Sequence, residues 1–286
     1  MILLFFVFPA PLRGSPPLPH IALLVSESIR PYHEAVDGFR EAFEADYRVT
    51  YLKSGDPVPR GEQPDLWVAV GPQAMKEVWD ISDSARKMYM MVLHPRKVVD
   101  APDPPCGVPL NLPFSFQLRV FQQAFPQAKS IGILYDPGFN QGWVLEAREA
   151  AAARGLTVRE LRVRTKKEIP SVLKDSWDRL DVLWLIPDRT VISETIIRYL
   201  SKESLLHGTA LVGYNQFFLE SGAAMAFVID YKELGRSAAR LAGTLVREDF
   251  CWSSMPPARL KLNTRALEHL GWRTSQPLSP YVELEP

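Results

Sequence analysis

The chain has no surplus of either charge. In 286 residues, 33 Lys and Arg stand against 33 Asp and Glu, and the net charge is zero. Proteins that grip duplex DNA draw much of their affinity from counterion release by clustered basic groups, so nucleic acid is not an expected partner. Cysteine is scarce, with only Cys106 and Cys251. That excludes a disulfide-stapled scaffold and a zinc centre of four thiolates. No apolar run approaches the ~20 residues of a membrane-spanning helix. The five histidines are scattered rather than clustered, so no metal site is expected. There is no G-x-G-x-x-G after a strand, no G-x-x-x-x-G-K-[ST], no G-x-S-x-G and no H-E-x-x-H, so no cofactor is expected.

What remains is the composition of an ordinary globular protein, 47% hydrophobic and 23% charged, long enough for about two domains. The first residues differ from the rest. Ile2–Phe8 is a short apolar run followed by a Pro-rich break, which fits the core of an export signal better than an N-terminal strand. Residues 1–19 are therefore expected to be a signal peptide and linker, and the mature chain a soluble periplasmic or otherwise extracytoplasmic protein. In an oxidising compartment Cys106 and Cys251 are free to pair, and the sequence leaves that pairing open.

After residue 19, short apolar runs alternate with amphipathic stretches. His20–Val25, Asp65–Val70 and Met88–Leu93 read as buried strands, with helices over Pro31–Ala45 and Gln73–Ile81. The pattern then restarts: strands over Ser130–Tyr135, Thr157–Val163, Asp181–Ile186 and Ala210–Gly213 are separated by helices, one of them Trp143–Arg154. A strand over Ala223–Ile229 and a long helix over Lys232–Val246 follow. Such alternation implies parallel sheets with right-handed crossovers, here an α/β chain of two doubly wound lobes. In open parallel sheets ligands bind beyond the carboxyl ends of the strands. Those ends present Ser26, Glu27, Tyr32, Gly71, Pro72 and His94 in the first half, and Tyr135, Asp136, Asn140, Gln141, Asp188, Arg189, Thr190, Tyr214 and Asn215 in the second; all but Glu27, Asp136 and Arg189 are taken as ligand-binding candidates. The set mixes hydrogen-bonding and aromatic groups and suits a small amphipathic ligand. The same Ser, Asp and Asn residues would equally serve as helix caps and turn formers. Trp67 and Trp184 are expected in the core, and stacking on the ligand stays open as an option for Trp143. The basic cluster of Arg159, Arg162, Arg164, Lys166 and Lys167 reads as a solvated face.

Several segments, taken in order, resemble the ABC-transporter substrate-binding family whose characterised members bind aromatic amino acids such as tryptophan and tyrosine. They are PYHEAVDGF (Pro31–Phe39), PDLWVAVGPQA (Pro64–Ala74), FPQAKSIGILYDPGFNQG (Phe125–Gly142), LDVLWLIPDRTV (Leu180–Val191), SGAAMAFVIDYKELGRSAARLA (Ser221–Ala242) and LKLNTRALEHLGW (Leu260–Trp272). The resemblance implies a type I periplasmic-binding-protein-like fold with an interlobe cleft. It also implies an amino-acid ligand, aromatic or branched, held by lobe closure, a monomer, and partners in an ABC permease and its ATPase. The expected division is lobe 1 from 20–112 and 217–275, lobe 2 from 113–216, and a tail at 276–286. The chain departs from the family where a Thr-Gly-Val crossing is here Cys106-Gly107-Val108, and where a helix usual between the second and third strands is replaced by a short loop ending at Pro64. Two other readings stand beside this one. The first is a hydrolase or transferase using Asp188 and His94. The second is the ligand-sensing domain of a regulator.

Overall fold

A computed structural model describes residues 18–42, 48–56, 63–82, 84–101, 105–252 and 254–286. The expected export signal lies outside them, except for Leu18 and Pro19. The first sheet is wholly parallel. Its strands β1 (His20–Val25), β2 (Arg48–Lys53), β3 (Leu66–Val70), β4 (Arg86–Val92) and β5 (Gly107–Pro109) lie in the order β2-β1-β3-β4-β5. These strands are apolar on both faces because both faces are covered. Ile21 and Leu23 point to one side, against helices α1 (Arg30–Ala42) and α9 (Tyr231–Glu248). Ala22 and Leu24 point to the other, against α2 (Pro72–Asp80).

The second sheet has seven strands. β6 (Ser130–Tyr135), β7 (Thr157–Arg162), β8 (Val182–Leu185), β9 (Ala210–Gly213), β10 (Met225–Ile229), β11 (Ala258–Asn263) and β12 (Val282–Glu285) take the order β12-β11-β10-β9-β8-β6-β7. All neighbours are parallel except β10 and β11. One face packs on α4 (Phe114–Ala124), α5 (Pro137–Ala152) and α10 (Thr264–His269). The other packs on α6 (Ile169–Lys174), α7 (Glu194–Leu206) and α8 (Gln216–Glu220). The two expected α/β lobes are present.

Their boundaries differ from expectation. β10 and β11 pair within the second sheet, so of the span 217–275 assigned to the first lobe, α9 is the element that returns there. The expected tail at 276–286 contributes β12, which extends the second sheet alongside β11. A strand's partner is chosen by the whole sheet, and local sequence does not carry that choice. α5 begins at Pro137 rather than Trp143, because the Asp136 carboxylate accepts the Gly138 N–H at 2.8 Å and Pro137 suits the first helical position.

Among the described residues the chain passes between lobes three times: at 110–113 after β5, at 229–230 before α9, and between α9 and β11. α9 is seated on α1 by glycine. A Cβ at Gly38 would run into the Lys232 carbonyl, and one at Gly235 into the Ala35 carbonyl, so each helix comes down on the other's backbone. The far end of α9 is tied to the edge of the first sheet by the Cys106–Cys251 disulfide, whose Cα atoms are 5.9 Å apart. The Cys that replaces the family's Thr is thus a cross-link.

Candidate functional site

Between the two sheets lies a cavity of about 220 Å³. The first lobe contributes Leu93 and His94 from the end of β4, and the first crossing contributes Leu110, Asn111 and Leu112. Gln117 of α4 and Trp143 of α5 close one side. The second sheet brings Trp184 to Pro187 at the end of β8, Tyr214 and Asn215 at the end of β9, and Phe227 and Ile229 of β10; Tyr231 opens α9. The site therefore sits beyond strand carboxyl ends of both sheets, as the topology of open parallel sheets requires, and on two of the three crossings.

Backbone geometry on the first-lobe side is unusual. The β4–β5 pairing shifts register at Met91, which has φ 61°, and three residues later His94 has φ 53°. The bulge turns the chain out of the sheet, and His94 completes the turn before the short helix α3 (Pro95–Val98). Left-handed His94 is held by Asn111. Its N–H donates to Asn111 Oδ1 at 2.6 Å, and Asn111 Nδ2 donates to His94 Nδ1 at 2.9 Å. Burial, with Lys97 adding to it and Glu146 opposing it, pushes the imidazole below its ordinary pKa. Burial raises the Tyr214 hydroxyl to about 12, with Tyr231 and Asp188 reinforcing it. Burial likewise raises Tyr231, with a contribution from Glu34. Both phenols therefore stay protonated and available as donors. Among the described residues, no Asp, Glu, Lys or Arg lines the cavity.

Three of the expected ligand residues, His94, Tyr214 and Asn215, line this cavity. The other nine are placed elsewhere. Ser26, Tyr32 and Gly71 meet at the ends of β1 and β3: Ser26 Oγ accepts the Ala74 N–H at 2.8 Å, and Gly71, at φ 90°, leaves the space that the Tyr32 hydroxyl and Ser26 Oγ occupy. Pro72 is exposed at the start of α2. Tyr135 is fully buried, and its hydroxyl donates to Glu160 Oε2 at 2.6 Å, with Gln141 Oε1 3.1 Å away.

Asp188, Thr190, Asn140 and Asp136 form one hydrogen-bonded knot. Asp188 is 2% exposed and accepts from Asp136 N–H, Asn140 Nδ2, Thr190 N–H and Val191 N–H at 2.8 to 3.1 Å. Thr190 Oγ1 donates to Asp136 Oδ2 at 2.7 Å. These carboxylates hold the starts of α5 and of the β8–α7 connection. Trp143 does line the cavity, and Trp67 is core, as expected. Trp184 is both, 2% exposed and on the cavity wall.

Sequence reasoning missed Asn111, Gln117, Phe227, Ile229 and Tyr231 on the wall. Tyr231 stands just past the end of β10, and extending the strand-end rule to that strand finds it. Asn111 and Gln117 follow β5, a strand too short to leave an apolar signature.

A comparison with curated proteins finds no match. Among solved structures, a substrate-binding protein with adhesive properties from Clostridium difficile, in its ligand-free, open form, is similar over 93% of this chain and 99% of its own, with TM-score 0.77 and 17% identity. An ABC domain from Streptococcus pneumonia in complex with L-Trp is similar over 92% of this chain and 99% of its own, with TM-score 0.61 and 18% identity. A periplasmic ribose ABC transporter protein from Conexibacter woesei follows at TM-score 0.57 and 12% identity, over 88% and 94% of the two chains. These likenesses establish the type I periplasmic-binding-protein-like fold. A family model described as ABC transporter substrate binding protein matches residues 102–281, well over half of the chain. With two parallel-sheet lobes and a cavity between them, this chain belongs to the ABC transporter substrate-binding protein family.

Proposed function

We propose that this chain is the extracytoplasmic solute receptor of an ABC importer, and that it captures a small amphipathic ligand with an aromatic or branched body by closing its lobes. The observation that carries the reading is the cavity itself. It joins strand ends of both sheets, has Trp143, Trp184 and Phe227 among its walls, and offers neutral hydrogen-bonding groups from both sides. An aromatic ring buries roughly 150–250 Å², which at ~25 cal/mol per Å² supplies about 4–6 kcal/mol before the costs of ordering. A ligand that touches both lobes favours the closed arrangement by its differential affinity for it. The L-Trp held by the streptococcal neighbour supports an aromatic body. In this reading the chain acts as a monomer and hands its ligand to membrane subunits. Among the described residues no helix is long and apolar enough to cross a membrane.

The test is a thermal-shift and calorimetric screen of aromatic and branched amino acids, aromatic amides, nucleobases and sugars, with small-angle scattering on any hit. The expected result is saturable binding of an aromatic compound, stabilisation rising as RT ln(1 + [L]/Kd), and a smaller radius of gyration. Absence of any hit at millimolar ligand overturns the proposal.

A further inference from the structure

Resting on the receptor reading, the geometry points to a contact that belongs to the closed form: we infer that Arg30 of the first lobe and Glu220 of the second form an ion pair beside the cavity and clasp the lobes when they shut. Three observations lead there.

The first is placement. α1 and α9 both run away from the cleft, and the Ala35 carbonyl rests where a Cβ at Gly235 would stand. That register sets Arg30, the first residue of α1, about one turn nearer the second lobe than Tyr231, the first residue of α9. Tyr231 is itself cavity wall. On the second lobe, α8 leaves the cavity wall at Asn215 and ends at Glu220. The two charges therefore stand on short reaches of chain that begin at the cleft, one on each lobe.

The second is what each group is bonded to. The Arg30 side chain is 90% exposed, and its Nε donates to Glu34 Oε1 at 2.7 Å on its own helix. The two terminal amino groups of the guanidinium remain for a second carboxylate, and their planar fork suits one. Glu220 is exposed. Among the described residues no ion pair crosses the cleft. The pair is unmade in this arrangement, and approach of the lobes makes it.

The third is the field between them. Glu34 raises the Arg30 guanidinium most, and Glu220 adds to this from the other lobe while burial opposes both. An acid of the second lobe thus already acts on a base of the first. Free energy gained in the closed form alone raises its population, and the apparent affinity of a ligand that needs that form rises with it.

The experiment uses Arg30→Lys/Glu34→Gln, which keeps the positive charge, frees it from its own helix and gives it a primary amine. Carbodiimide coupling, which joins an amine to a carboxylate in contact, is read by peptide mass spectrometry with and without L-tryptophan. Lys261 and Glu285, 2.5 Å apart in the second sheet, are the internal control. A link between positions 30 and 220 is expected, and in small-angle scattering the linked fraction is expected to have a smaller radius of gyration than the unlinked one. In calorimetry, Arg30→Glu and Glu220→Lys are each expected to weaken L-tryptophan roughly 1.4- to 5-fold, the span of exposed ion pairs. Combining them restores the affinity to within about twofold. Coupling of the control without coupling of 30 to 220 overturns the inference and leaves the receptor reading standing. A linked fraction with the unlinked radius of gyration overturns it too, as does an affinity that neither reversal changes. Failure of L-tryptophan to titrate at all bears on the ligand named in the receptor reading, and the coupling result then decides the clasp.

Discussion

Asp188→Asn separates a structural carboxylate from a ligand-binding one. Asp188 is 2% exposed, and each of its oxygens accepts two hydrogen bonds: Oδ2 from Asp136 N–H and Asn140 Nδ2, Oδ1 from Thr190 N–H and Val191 N–H. Asn keeps the shape but turns one oxygen into an NH₂. Whichever side it takes, two acceptor contacts become donor facing donor. Hydrogen bonds to a charged group are worth ~1.5–3 kcal/mol each, so losing two costs about 3–6 kcal/mol. The expected result in urea unfolding at pH 7 is a lower midpoint with an unchanged slope. In the fraction that remains folded, affinity for any ligand of the cavity is expected to stay within about threefold, since Asp188 is not on its wall. A loss below ~1 kcal/mol, or a variant with wild-type stability and tenfold weaker binding, refutes the reasoning.

Two further perturbations probe the frame. The Cys106–Cys251 cross-link spans 145 residues, so Cys251→Ser is expected to lower stability by roughly 2–5 kcal/mol, read as a drop in the urea midpoint that matches reduction of the wild type. Glu160 is held below the usual carboxylate range by the Tyr135 hydroxyl first and by Arg162 second. A carboxylate with a lowered folded pKa stabilises fully above its unfolded value of 4.5 and loses that contribution as pH falls through the folded value. Glu160→Gln is therefore expected to flatten the dependence of the urea midpoint on pH below about 4.5, while stability at pH 3 changes little.

Strands were legible where an apolar run stands alone between turn residues. Ser130–Tyr135 and Ala210–Gly213 occupy the spans their hydrophobicity indicates. The start of α5 was not, because Gly138, Asn140 and Gly142 are poor helix formers and the cap that overrides them is a tertiary arrangement around Asp136 and Thr190. Of the residues the strand-end rule selected, His94, Tyr214 and Asn215 stand on the cavity wall. The rule also selected Asp188, Thr190 and Asn140, since a residue type that caps a helix is the same type that binds a ligand. Only the hydrogen-bond partners distinguish the two uses. The crossing residues Leu110 to Leu112 escaped because their position depends on which sheet receives the next element.

That position matters for how the proposed closure would be driven. Two of the three interlobe crossings are also cavity wall, one through Leu110, Asn111 and Leu112 and the other through Ile229, with Tyr231 just beyond it at the start of α9. A ligand there touches the segments that must bend as well as the lobes that must approach. Asn111 couples them further, because the residue that fixes the His94 ring lies on a crossing. In the proposed closure, the difference in a ligand's affinity for open and closed lobes is all the free energy available to shift the population. A ring that meets Trp143 and Trp184 on the second lobe and Leu93 on the first satisfies that condition. An aromatic compound that binds is therefore expected to reduce the radius of gyration in small-angle scattering. Saturable binding with an unchanged radius of gyration would place the whole of the binding energy on one lobe and refute closure by this route.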